Sequence, residues 1–272
     1  LSSTLGPISK AYARLCRLRS PGPQVGEREL KFNRRVSELF ADRVVRNGPF
    51  KGMRYPGLTA IGSSLYPKLL GSYERELTPA IASIIRTPYT AIVDIGCAEG
   101  YYAVGLGMHL RNAKVFAFDT SPEAQRLCRE MAELNGVAIH TGGFCDSAKL
   151  LELDLGEHAL VFCDCEGYEN DLIDEHVARA LSRHDFCIET HDFIRLDTTE
   201  RLSRILGETH DCELYESMDD ILKAYRYDDA ELLPFDLRDR LRLVAEGRPQ
   251  IMRWIYARSR TRESAAKMPA DR

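Results

Sequence analysis

The chain has 272 residues, 44% of them hydrophobic and 29% charged, the balance of an ordinary globular protein. Its net charge of −4 offers no basic field to nucleic acid. No run approaches the about 18 apolar residues that a membrane-spanning helix needs.

Residues 1–26 are basic and then rich in Pro and Gly (SPGPQVGE), which predicts a loose arm. In Glu27–Val45, Leu30, Val36, Leu39, Phe40 and Val44 recur at helical spacing. Asn47–Gly57 is turn-rich and predicts a short hairpin, and Gly71–Pro88 a helix stopped by its final proline. Strand and helix then alternate. Ala91–Ile95 is a strand, Gly100–Leu110 a helix and Lys114–Phe118 a strand ending at Asp119. Pro122–Leu134 is a helix with Ser121 as N-cap and Pro122 at its first position. Strands follow at Val137–His140, Ala159–Cys163 and Phe186–Glu189, with helices at Asn170–Leu181 and Thr199–Leu206. Cys212–Tyr215 and Ile251–Ala257 read as closing strands around a charged insert at about 219–248. The expected fold is α/β, a doubly wound, mostly parallel seven-stranded sheet with an N-terminal helical extension. Residues 1–70 form that extension, 71–258 the main domain, and 259–272 a polar, disordered tail.

Eight cysteines are present, several within apolar runs, and no Cys-x-x-Cys occurs. They read as buried, reduced thiols rather than a disulfide framework. Cys163 and Cys165, two apart, face the same side of a strand. The first twenty residues lack the continuous apolar core of a secretory leader, so cytoplasm is the expected compartment.

The stretch AIVDIGCAEG (Ala91–Gly100) is the most telling. Glycines at the carboxyl end of a buried strand permit a tight turn and close approach of a ligand. The helix that follows points its amino end at that ligand. A dinucleotide site prefers G-x-G-x-x-G, whereas Gly96 and Gly100 are spaced G-x-x-x-G, with Asp94 just before them. An acid there repels a pyrophosphate and suits an ammonium such as that of S-adenosylmethionine. Asp119, ending the second strand, can hydrogen-bond ribose hydroxyls, and Asp146, in GGFCD, can accept from an adenine amino group.

VDIGCAEGYY, FAFDTSP and GGFCD together resemble the motifs of class I S-adenosylmethionine-dependent methyltransferases. CDCEGYENDLID (Cys163–Asp174) and FCIETHDF (Phe186–Phe193) are more particularly similar to segments of the FkbM-type family. The resemblance spans about Gly71 to Phe193. It implies S-adenosyl-L-methionine as cofactor and O-methylation of a small-molecule or sugar hydroxyl. Cofactor-binding candidates are Tyr73, Asp94, Gly96, Glu99, Gly100, Tyr101, Asp119, Thr120, Asp146 and Asp164. Catalytic candidates are Asp164, Glu189 and His191, acids and an imidazole at strand ends where a hydroxyl proton must be removed. The same three can offer hard ligands and an imidazole to a divalent metal, the second candidate cofactor. Expected partners are a small-molecule substrate and, as a candidate, a second copy of the chain, with neither nucleic acid nor membrane. The competing functions are an NAD-type oxidoreductase and a non-catalytic cofactor-binding protein.

Overall fold

A computed structural model describes residues 23–261. Residues up to Asp42 form one unit and those from Arg43 another. The first contributes helix α1 (Pro23–Leu39), which starts and stops earlier than the pattern predicted. The boundary lies well before residue 70, because residues 43–70 are bonded into the second unit: Arg54 N donates to Asn135 Oδ1 at 2.8 Å. Residues 1–22 of the expected loose arm and most of the polar tail lie outside the described residues, and the arm's last four, Pro23–Gly26, are helical in α1.

The second unit is built on one seven-stranded sheet of order β3-β2-β1-β4-β5-β7-β6. Its strands are β1 (Ala91–Ile95), β2 (Lys114–Phe118), β3 (His140–Gly142), β4 (Ala159–Cys163), β5 (Asp185–Thr190), β6 (His210–Glu216) and β7 (Arg253–Ser259). β1 to β5 run parallel, and β7 lies antiparallel between β5 and β6. Strands β1, β4 and β5 are buried along their whole length, as expected of central strands covered on both faces. The doubly wound, mostly parallel sheet is therefore as the sequence predicted.

Register decides where the site falls. Ile95 aligns with Phe118 on one side and with Cys163 on the other, and Cys163 with Ile188. The turns after β1, β2, β4 and β5 consequently emerge at one edge. Strand order reverses between β1 and β4, and a crevice opens there in sheets of this kind.

The helices are α2 (Leu65–Leu70), α3 (Thr78–Arg86), α4 (Tyr101–His109), α5 (Pro122–Asn135), α6 (Ser147–Glu152), α7 (Glu169–Leu172), α8 (Glu175–Ala180), α9 (Thr198–Leu206), α10 (Asp220–Arg226) and α11 (Leu237–Val244). Ser121 caps α5, its hydroxyl accepting from Ala124 N at 3.3 Å. Five expectations need correction. The helix over Gly71–Pro88 is only α3, preceded by a 3-10 turn at Arg75–Leu77, because Glu74 is left-handed at φ 46°. The Asn47–Gly57 hairpin is a single bridge, Val44 to Arg54. β3 starts at His140 rather than Val137. Asn170–Leu181 is two helices, because Asp174 caps α8 through Val177 N. The strand expected from Ile251 extends to Ser259, past the predicted start of the tail. Among the described residues no helix is long and apolar enough to cross a membrane.

Candidate active site

A cavity of about 470 Å³ opens at the edge where these turns emerge. Its first wall is the turn after β1. Gly96 has φ 87°, and a Cβ there would lie 1.7 Å from the Asp164 carbonyl oxygen. Only glycine lets the β1 turn pack on the backbone of the β4 turn. Asp94 lies in the same wall, buried, and accepts from Ala103 N at 2.8 Å in the first turn of α4. Burial, with added repulsion from Asp164 and Asp119, pushes its carboxyl up to about 8 despite that bond.

Asp119, at the end of β2, faces the cavity beside Thr120. Its two oxygens accept from Ala98 N at 2.9 Å and from Ser121 N at 2.8 Å. Tyr73 and Tyr101 also line the cavity, edge to face at 5.5 Å.

Three candidates fall outside the wall. Asp146 is exposed and caps α6, accepting from Lys149 N at 2.9 Å, while its neighbours Gly143, Phe144 and Cys145 form the wall. Glu99 is 2% exposed and is not among the wall residues. It accepts from Lys68 Nζ at 2.6 Å, Ile61 N at 3.0 Å and the Tyr55 hydroxyl at 3.3 Å, anchoring α2 and the segment before it. Lys68 lines the cavity instead, 4.9 Å from the Tyr73 ring and 5.4 Å from that of Tyr101. Gly100 caps α4 at φ 98°, where a Cβ would meet Cys128 Sγ at 2.8 Å.

The same cavity gathers Asp164, Glu189 and His191 from the adjacent ends of β4 and β5. His191 is buried, and its Nδ1 lies 3.1 Å from Oε1 of the fully buried Glu169. That carboxylate also accepts from His191 N and Gly167 N, both at 2.9 Å. It therefore holds the proton on Nδ1 and leaves Nε2 as the free acceptor. Nε2 lies 3.6 Å from Asp164 and 3.5 Å from Glu166. Burial works against the charged imidazole, but the Glu169 hydrogen bond and the surrounding carboxylates outweigh it and hold the histidine above its ordinary value.

Asp164 and Glu189 are both raised, first by burial. Repulsion from Asp164 and Glu74 adds to the rise at Glu189. Two close carboxyls in one dry place share a proton more readily than they carry two charges.

Glu189 is also tied to Arg248, a residue that sequence reasoning missed. The Arg248 guanidinium meets Glu74 at 2.5 Å and Glu246 at 2.8 Å, and lies 4.9 Å from the Trp254 ring. The only sequence signal was a turn, Glu246–Pro249, with Gly247 at φ 69°.

The three metal candidates do not form one set. Asp164 groups with Glu166 and His191, and separately with Glu74 and Glu189, each group having its ligand atoms within 4.8 Å. The second group already holds the Arg248 guanidinium, which a cation would have to displace.

No family model matches the chain, and no curated protein matches it. Solved structures are similar at low identity. A precorrin-6y C5,15-methyltransferase from Geobacter metallireducens has TM-score 0.44 and 14% identity over 70% of this chain and 89% of its own. A precorrin 8w decarboxylase from Methanobacterium thermoautotrophicum has TM-score 0.42 and 16% identity over 75% of this chain and 92% of its own. The tRNA (uracil-54, C5)-methyltransferase of Pyrococcus abyssi, solved with S-adenosyl-L-homocysteine, has TM-score 0.40 and 14% identity over 69% of this chain and 38% of its own.

Proposed function

We propose that the protein is an S-adenosylmethionine-dependent methyltransferase of FkbM type, acting on a hydroxyl of a small molecule or sugar. One observation carries the reading. Asp119 and the Gly96 turn line the same cavity as His191, whose Nδ1 is paired with Glu169. The glycine cradle fits a ligand pressed against backbone. The Asp119 oxygens, each with one backbone donor, keep lone pairs for a ribose diol. Asp94 suits the ammonium of the methionine end better than a pyrophosphate, which places an NAD-type reading second.

The cofactor, when bound, supplies an activated methyl group on sulfur. The chain's own residues then have two tasks. The cavity walls hold the acceptor oxygen in line and exclude water. His191 Nε2 takes the hydroxyl proton, and Glu169 keeps the ring aligned and stabilises the imidazolium that forms.

Asp164, Glu166 and His191 also fit a divalent cation. They form a hard donor set, and Asp164 Oδ1 is a buried acceptor with no hydrogen-bond partner. A cation there would lower the pKa of an acceptor hydroxyl, with His191 as ligand rather than base. Methyl-transfer assays across hydroxylated acceptors, run with chelator and with added Mg²⁺, separate the two roles.

Asp119→Ala is expected to weaken S-adenosylhomocysteine binding about tenfold to a hundredfold, the loss of hydrogen bonds to a charged group. Calorimetric titration checks this, and unchanged affinity would sink the ribose assignment. His191→Ala is expected to slow methyl transfer at least about a hundredfold. With His191 as base the rate rises with pH, along a limb displaced above the ordinary histidine range. The sign for stability is opposite. A raised folded pKa stabilises fully below the unfolded value, and that contribution fades as pH climbs through the folded one. A pH–rate profile of wild type, and its loss in the variant, tests the first statement, and urea unfolding across the same pH range tests the second.

A further inference from the structure

Cys163 ends β4, and Cys165 follows Asp164 in the cavity wall. Their sulfurs are 3.3 Å apart. Cys163 is fully buried, while Cys165 is half-buried and faces the cavity. Cys165 Sγ donates to Glu169 Oε2 at 3.7 Å, the same carboxylate that positions His191 through Oε1.

We propose that Cys163 and Cys165 are an oxidisable dithiol, a modification site in the cavity floor whose bridged form disturbs both the Gly96 turn and the Glu169–His191 pair. The oxidant is a small peroxide. Cys165 sulfur attacks its O–O bond as the thiol proton passes by way of Glu169 to the departing hydroxide, leaving a sulfenic acid and one water. Cys163 sulfur then displaces the sulfenic hydroxyl, the Cys163 proton leaving with it as a second water. Two thiols are oxidised to one disulfide, and the peroxide is reduced.

Cys163 is fixed in the central sheet, so Cys165 makes the approach. The Asp164–Cys165 peptide it carries packs on Gly96, whose absent Cβ would sit 1.7 Å from Asp164 O and 3.4 Å from Cys165 Cα. Asp164 N donates to Ile95 O at 2.9 Å, at the end of β1. Movement of Cys165 thus reaches the β1 turn through backbone. Bridging also removes the thiol donor from Glu169. None of this depends on the reaction proposed above.

The test uses the whole protein and hydrogen peroxide. The tryptic peptide Leu150–Arg179 contains Cys163 and Cys165 and no other cysteine. After peroxide it should be lighter by two hydrogens and refuse alkylation, and dithiothreitol should restore both thiols. Cys165→Ser should give no bridge. Amide hydrogen exchange in the bridged protein should accelerate about tenfold at Asp164 and Gly96. A peptide that still takes two alkyl groups, that gains oxygen instead, or a bridge between Cys97 and Cys128 alone would overturn the proposal. So would a confirmed bridge that leaves exchange at Asp164 and Gly96 unchanged.

Discussion

Arg248→Met is expected to destabilise the protein by about 3–5 kcal/mol, the cost of removing one partner from a buried charge cluster. The arginine side chain is 13% exposed and answers three carboxylates, on Glu74, Glu189 and Glu246, each at most 4% exposed. Methionine keeps most of the aliphatic stem beside Trp254 but none of the charge. The stranded carboxylates respond by binding protons, so the loss should deepen as pH rises. Arg248→Lys should recover only part, because an ammonium has no fork to reach three acceptors at once. Urea unfolding at two pH values measures both effects. A loss below about 1 kcal/mol, the range of exposed ion pairs, would mean the cluster is solvated in solution.

Gly96→Ala is expected to cost about 2–6 kcal/mol, combining left-handed backbone strain with a clash against neighbouring backbone. The atom met is the Asp164 carbonyl oxygen at 1.7 Å, not the end of a flexible side chain, so either the β1 turn or the β4 turn has to move. Cofactor binding should fail with it. Gly143→Ala is the control, since a Cβ at that wall position meets nothing within 4 Å and should be nearly silent. If both alanine variants unfold at the wild-type midpoint, the two turns are not in contact.

The ends of β1, β2 and β4 were legible to the residue because each strand is a short apolar run stopped by an acid or a glycine turn. Ser121 and Pro122 announced α5 for a local reason, a cap followed by a preset φ. Asp94, Asp119, Asp164, Glu189 and His191 all line the cavity for one cause: parallel strands in register deliver their last residues to one edge. Asp146 caps α6 outside the cavity wall, which the sequence did not show because a short polar residue after a glycine pair serves equally as ligand or as helix cap, and α6 is too short to show periodicity. Glu99 adjoins the glycine turn in sequence, but its side chain answers Lys68, 31 positions earlier. Arg248 was invisible. Its partners Glu189 and Glu74 lie 59 and 174 positions away, and no local pattern encodes a contact that the sheet order creates.

That sheet order also bears on synthesis. β7 is last in the chain yet sits inside the sheet, between β5 and β6. While the chain emerges from the ribosome, β1 to β5 can pair, but the outer edge of β5 stays open along Asp185–Thr190. The Arg248 segment, just upstream of β7, is not yet docked against Glu189. The nascent protein therefore passes through a stage with an unprotected apolar strand edge and an unfinished cavity, the kind of exposure that invites aggregation and chaperone binding. Completion of the cavity and closure of the sheet arrive in one late step, so a chain stalled before Arg253 keeps an open strand edge beside an unfinished cavity.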